Sequence, residues 1–237
     1  MKKYKLTDEA CTLYGVTMYR IEALIDFGNV KAGDKGGFVQ SEDNLSQEGK
    51  CWVSGNAKVF GNAKVFGDAE VFGDVLVFDN AKVFDNAKVF GKIKVYGYAI
   101  VCDNAIVYGY AKVFGFAKVY GNAEVFYKAK VYGDAKVYGD AEVYGDAKVG
   151  GDAKVFGNAE VGGNAEVTKY SDYIVFKNWW SSGRYFTWTR SNSMWKVGCF
   201  YGTSQELIKK AYADSDTKGQ EYERVVRYVE SILADER

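Results

Sequence analysis

The chain contains no histidine, which removes the commonest general base, the commonest zinc ligand and every Ser-His or Cys-His nucleophile pair. Proton transfer would then fall to carboxylates, and Glu70, Glu124, Glu142 and Glu160 all share one phase of a regular period. Glu124 or Glu142 could serve as a base, but an outward carboxylate column on a strand surface is ordinarily solvated and needs no chemistry to explain it. Cys11, Cys51, Cys102 and Cys199 have no CxxC spacing and read as reduced structural thiols rather than a disulfide framework or a metal knuckle. Neither GxxxxGK(S/T) nor a strand-GxGxxG-helix pattern occurs, so no phosphate cradle is indicated. No catalytic residue, cofactor or metal site is expected.

A second constellation lies near the C-terminus, where tryptophans alternate with cations: Lys177, Trp179, Trp180, Arg184, Trp188, Arg190, Trp195 and Lys196. Such a strip can stack bases or sugars. The same tryptophans can instead build the core of a domain this small, which needs large apolar side chains to fold at all. Lys plus Arg and Asp plus Glu both number 31, so nucleic-acid binding would have to be local rather than driven by net charge.

The elements that position these residues follow from one period. From Val53 to Val167 every sixth residue is valine, in units such as GNAKVF and GDAEVY. Two positions before each valine stands a small or aliphatic residue, usually alanine, with Lys or Glu between them. Alternate side chains of an extended segment face opposite ways, so Ala and Val point inward and Lys or Glu outward. The remaining Phe or Tyr, Gly or Asp, and Asp or Asn form a corner. Read backward by sixes, the pattern reaches Cys51, then Leu45 and Val39 at alanine positions, which adds two degenerate units. The 18-residue phase of the glutamates favours three strands per coil over two, giving a triangular solenoid of about seven coils, roughly 33 Å long at about 4.8 Å per coil. Corner aromatics then form ladders, among them Phe72, Phe90, Tyr108, Phe126 and Tyr144.

This repeat resembles the hexapeptide-repeat left-handed β-helix superfamily, which includes acyltransferases and γ-class carbonic anhydrases. Within it the chain is most similar to the hexapeptide transferases of bacteria and their phages that carry VYGNA-type units and a separate C-terminal domain. The resemblance covers more than half the chain and implies the fold, its left hand, and an association with transferases, phages and side-by-side oligomers. The acyltransferases of the superfamily use a histidine base and the carbonic anhydrases three zinc-ligating histidines, so no catalytic residue carries over.

The expected fold is therefore mainly β: an N-terminal cap over 1–38, a left-handed parallel β-helix over 39–169, and a small α+β domain over 170–237 with a three-stranded antiparallel sheet and two helices. Thr203, Ser204, Gln205 and Glu206 form a capping box that opens the first helix. The period is broken by apolar residues at outward positions, Leu76, Tyr98, Ile100, Ile106, Tyr110, Phe116 and Tyr127, and contiguous exposed apolar surface marks an interface. Tyr98, Ile100 and Phe116 should meet at one corner. Neither a signal peptide nor eighteen consecutive apolar residues occurs, so a cytoplasmic chain with no membrane partner is expected. The functional expectation is a non-catalytic scaffold whose C-terminal domain recognises a protein partner, with a dimer or trimer of the chain as a further association. Two alternatives stand beside it: an acyl- or acetyltransferase with a histidine-free site at a subunit interface, and a nucleic-acid binder using the Trp and Arg strip.

Overall fold

The computed structural model describes residues 1–179 and 182–235. The hexapeptide period folds as expected into a parallel β-solenoid of about seven coils, followed by an antiparallel sheet and two helices. Each repeat contributes one short strand, such as Lys58–Val59 or Lys64–Val65, and successive strands pass to a ten-, a six- and a seven-stranded sheet in turn. Residues one coil apart pair in register, so Val89 lies opposite Val107 and Glu124 opposite Glu142. The inward valines and their alanine partners have essentially no exposure. Their methyl groups fill the tube completely, and burial at about 25 cal/mol per Å² is the main source of its stability.

Corners need a left-handed backbone, and glycine supplies it. Gly115 has φ +74°, and a Cβ there would come within 3.0 Å of the Gly133 nitrogen one coil on. Asp79 and Asp103 adopt the same conformation at φ 60° and 57°. Their carboxylates accept from Gly97 N at 3.0 Å and Gly121 N at 2.9 Å, which offsets the steric cost that L side chains meet in this region. The aromatic ladders form as well: Phe72 to Phe90, Phe90 to Tyr108 and Tyr108 to Phe126 stack at 4.8, 5.3 and 4.8 Å.

The first coil departs from the sixfold reading. Val39 pairs with Val59 and Leu45 bridges to Val65, whereas Trp52 pairs with Glu70 in the spacing of all later coils. The first two separations are each longer than the third by two positions, so an insertion lies between Leu45 and Trp52. Leu45 and Val39 therefore occupy valine rather than alanine positions. Counting by sixes from Val53 cannot see an insertion that the turn absorbs.

Hydrogen bonds from coil to coil at the corners and strand ends run one way. Lys64 N donates to Ala81 O, Phe66 N to Val83 O and Asp68 N to Asp85 O, at 2.9, 3.1 and 2.8 Å, and the equivalent amides of later repeats donate likewise to the coil that follows. The first coil is thus left with carbonyls of this set unpaired and the last with amides. At the carbonyl end, Lys3 Nζ donates to the carbonyls of Glu48, Gly49 and Cys51 at 3.2, 3.3 and 3.0 Å. Tyr4 Oη donates to Leu45 O at 2.6 Å, and Asn44 Nδ2 donates to Gly61 O and Ala63 O, both at 2.9 Å. Lys3 and Tyr4 come from a hairpin of Tyr4–Leu13 and Val16–Ala23 that joins the ten-stranded sheet through Lys35–Val39.

At the amide end the C-terminal domain supplies acceptors. Thr187 Oγ1 accepts from Glu160 N at 3.0 Å and Ser191 Oγ from Glu166 N at 2.7 Å. The domain's sheet has four strands, Tyr173–Lys177, Tyr185–Thr189, Met194–Val197 and Phe200–Gly202, in sequential antiparallel order. The fourth is too short to display a period, which is why three were expected. Helices α1 (Ser204–Asp214) and α2 (Asp216–Asp235) pack on each other, and the Thr203 to Glu206 capping box forms as read. Among the described residues, no helix is long and apolar enough to cross a membrane.

Lys3 is 2% exposed, so its charge is committed to the carbonyls it caps. Replacing it with Met, which keeps the stem and removes the donors, is expected to lower stability by about 2–3 kcal/mol, measured by urea unfolding. An unchanged midpoint would show that those carbonyls are satisfied without it.

Candidate functional site

The seven-stranded sheet carries the acidic column. Parallel register places Glu142 directly between Glu124 and Glu160, so three carboxylates stack one coil apart. Burial pushes the Glu142 carboxyl above its usual range, the Glu160 and Glu124 charges push the same way, and Lys196 opposes them. Its neighbours have found partners: Tyr108 Oη donates to Glu124 at 3.2 Å, and Lys196 Nζ pairs with Glu160 at 3.1 Å. Among the described residues Glu142 is the carboxylate with a clearly raised proton affinity, and a proton-accepting or proton-donating role on this surface would fall to it.

The seven apolar interruptions do not form one patch. Tyr98, Ile100 and Phe116 do meet, as their phase required. Tyr98 and Phe116 stack at 5.0 Å on the corner entering the six-stranded sheet, and Ile100 lies beside them on that sheet. Together they line a groove of about 580 Å³ whose remaining walls include Lys82, Lys118, Lys136 and Lys154. Among the described residues those four lysines have no ion-pair partner. The other four residues lie around a different edge: Ile106 on the seven-stranded sheet, Tyr110 and Tyr127 on the corner that follows it, and Leu76 on the ten-stranded sheet beyond. Three of the seven gather at one corner and the other four lie elsewhere, because the repeat phase sorts corners and the seven residues do not share one.

Asp85, Cys102 and Asp103 bring ligand-type atoms within 4.8 Å of one another at a corner. Burial, then the Asp103 and Asp85 charges, raise the Cys102 thiol to about 11. It is a neutral thiol at physiological pH, and the Asp103 carboxylate is already engaged by Gly121 N, so the cluster reads as corner structure.

The C-terminal strip is divided by the fold. Trp188 and Trp195 are buried at 4% and 1% exposure in a core with Phe186, Leu207, Tyr222, Val226 and Val229. Strand alternation sends them to one face of the sheet, the face that α1 and α2 cover. Lys196 reaches Glu160 of the coil and lies over the Tyr144 ring, so it belongs to the docking of the domain on the solenoid. Arg184 packs against Gly198, and Arg190 bonds through its backbone nitrogen to Asp172 O. Trp180 lies outside the described residues. Among the described residues only Trp179, 74% exposed with Lys177 Nζ 4.7 Å from its ring centroid, retains the cation and open ring that a stacking platform needs. The seven described residues of the eight do not assemble into a strip.

A groove that the sequence reading missed lies on the same domain. Ile174, Phe176 and Asn178 from the first strand of its sheet and Glu221, Arg224, Val225 and Tyr228 from α2 enclose about 510 Å³. Among the described residues that strand pairs only with Tyr185–Thr189, and no strand pairs with its other edge. The one signal in the sequence was the alternation of Ile174 and Phe176; nothing in it brings α2, far along the chain, against them.

No protein-family model matches the chain. A stretch of 61 residues is 38% identical to the uncharacterized acetyltransferase YdcK of Escherichia coli (strain K12), covering 22% of this chain and 19% of that protein. The match therefore spans about a fifth of that relative's length.

The stacked glutamates predict a pH effect whose sign is fixed. A carboxyl with a raised folded-state pKa favours the fold when protonated, and that contribution is lost as pH rises through the raised value. Glu142→Gln should therefore be more stable than wild type at pH 7, and the gain should vanish below the ordinary value of 4.5. Urea unfolding of both proteins from pH 3 to 8 measures it, and a pH-independent difference would show that burial and the neighbouring charges do not raise the Glu142 carboxyl.

Proposed function

We propose that this chain, whose coil fits the hexapeptide-repeat, acyltransferase-like left-handed β-helix superfamily, is a non-catalytic scaffold whose C-terminal domain recognises a protein partner. The supporting observation is the open edge of strand Tyr173–Lys177 beside the apolar groove shared with α2. An extended segment of the partner adds to that edge through main-chain hydrogen bonds, and its alternate side chains enter the groove between Phe176 and Val225. Specificity comes from Glu221 and Arg224 at the groove's rim. The solenoid supports this role as a stiff spacer, its interior filled by valine and alanine, with no room for a substrate. The groove of Tyr98, Ile100 and Phe116 is a second contact surface, for another copy of the chain.

A second reading, acetyl transfer, is favoured by the partial likeness to an uncharacterized acetyltransferase. In it Glu142, whose proton affinity is raised, replaces the missing histidine at a site completed by a neighbouring subunit. Incubation with acetyl-CoA and a panel of amines separates the readings: turnover by wild type that Glu142→Gln abolishes establishes the transferase, and no turnover leaves the scaffold.

Two variants test the binding surfaces. Val225 is half-buried in the groove wall, so Val225→Glu places a charge where the partner's side chains would enter. It should abolish affinity capture of a partner that wild type retains, with unchanged circular dichroism. Equal capture by both proteins would remove the groove from the proposal. Ile100→Lys combined with Phe116→Lys should lower the sedimenting mass if copies associate through that corner; identical sedimentation would exclude it as a self-contact.

A further inference from the structure

The aromatic ladder on the seven-stranded sheet begins abruptly. Phe72 stacks on Phe90 at 4.8 Å with its ring planes 3° apart. In the coil before it the same position is Ser54, set by the pairing of Val53 with Val71. Among the described residues, one face of Phe72 therefore has no ring stacked against it. The neighbouring ladder's first ring, Phe60, is closed over by the N-terminal hairpin and is 6% exposed, whereas Phe72 is 36% exposed. The far end of the Phe72 ladder is closed too: Tyr144 lies against Gly162, whose carbonyl accepts from Tyr201 Oη of the C-terminal domain.

A cleft of about 590 Å³ occupies the space above Ser54, between the Gly28–Val30 loop and the first coils. Trp52 forms part of its lining, and Phe27 packs edge-on to Trp52 at 5.4 Å, with Tyr4 at 6.3 Å. That packing holds the indole in place before any ligand arrives, and the volume is that of a small-molecule site.

The polar rim carries both signs in equal number. Lys50 faces Asp68 at 3.9 Å and Lys88 faces Glu70 at 3.5 Å, so neither an anion nor a cation gains from the cleft as a whole. Among the described residues the Ser54 hydroxyl and the Asn29 amide have no hydrogen-bond partner, and Asn86 keeps its oxygen while its nitrogen donates to Asn104. A purely apolar ligand would strip water from these groups and leave them unpaired, at a cost of about 1–3 kcal/mol each. A ligand whose groups both donate and accept satisfies them.

We propose that this cleft binds a neutral saccharide, with one sugar ring lying on the open face of Phe72. The axial C–H groups of the ring meet the aromatic face, whose quadrupole is negative. Its hydroxyls accept from Lys88 and Asn29 and donate to Glu70 and the Asn86 oxygen. Ser54 matters by being small, because a further ring at that position would close the cleft by continuing the ladder. The site is separate from the partner-binding groove of the C-terminal domain and stands or falls independently of it.

Saturation-transfer NMR of the full chain with glucose, galactose, mannose, N-acetylglucosamine and their disaccharides tests this. At least one sugar should receive saturation at its ring protons. Phe72→Ala should weaken that binding about tenfold, and Ser54→Phe should abolish it by filling the space. Should Phe72→Ala fail to fold, Glu70→Gln, which leaves the ladder intact, should still weaken binding severalfold. No transfer to any sugar of the panel overturns the proposal. Binding undiminished in Ser54→Phe overturns it as well, and tighter binding of glucose 6-phosphate or glycine than of every neutral sugar overturns the inference of neutrality.

Discussion

One constraint governs this molecule: the hydrogen bonds that join one coil to the next at its corners and strand ends point the same way, so the two ends of the solenoid are chemically unlike. These amides donate toward the C-terminal end throughout, and neither the first coil's carbonyls nor the last coil's amides have a further coil to pair with. A buried backbone group left unpaired costs as much as a lost hydrogen bond. The two flanking segments answer that demand with opposite chemistry. The N-terminal segment brings donors, Lys3 and Tyr4, to which the first coil adds Asn44, and the C-terminal domain brings acceptors, Thr187 and Ser191. The caps could not be exchanged, and the C-terminal domain is therefore fixed to the solenoid by the same interaction that terminates it.

The interior follows from the period and limits where function can reside. An inward pair of Ala and Val per strand, three times per coil, closes the tube around its own methyl groups. Binding must then use faces, corners or ends. On the faces the repeat stacks like on like: Lys112 over Lys130, Glu124 over Glu142. Repetition of a charge at the inter-strand spacing raises its electrostatic cost, and the proton affinity of Glu142 responds to this together with its partial burial.

How much of this was legible in the sequence differs by element. The solenoid, its three strands per coil and its ladders were readable because period, phase and side-chain direction all derive from the same repeat. The longer first coil was not, because Leu45 and Val39 fit either inward position by chemistry and only pairing distinguishes them. Alternation along Tyr185–Thr189 and Met194–Val197 places Trp188 and Trp195 on one face, but which face the helices cover is a tertiary fact. Reading the tryptophans together with the arginines as a strip joined residues that the fold sends to different surroundings. The groove of Ile174, Phe176 and Val225 was invisible for the complementary reason: its walls are close only after α2 returns across the sheet.

Sites on a periodic surface arise where the period fails, and the reason is physical rather than statistical. Within an unbroken column each ring is covered on both faces by copies of itself, and each corner amide is bonded to the next, as Asn86 is to Asn104 and Asn104 to Asn122. Such surface has no unsatisfied face to offer. A break exposes one. Ile100 among lysines leaves an apolar step beside the Tyr98 and Phe116 pair. Gly162 ends a ladder, and the space is taken at once by Tyr144 and Tyr201. Ser54 begins the same ladder, and among the described residues none takes the space over Phe72, although Phe27 and Tyr4 lie close enough to hold Trp52 in place. Of two equivalent interruptions at opposite ends of one column, one is filled by the protein and one is kept open, and an opening kept beside ordered aromatic and paired charged groups is the surface on which a ligand gains most.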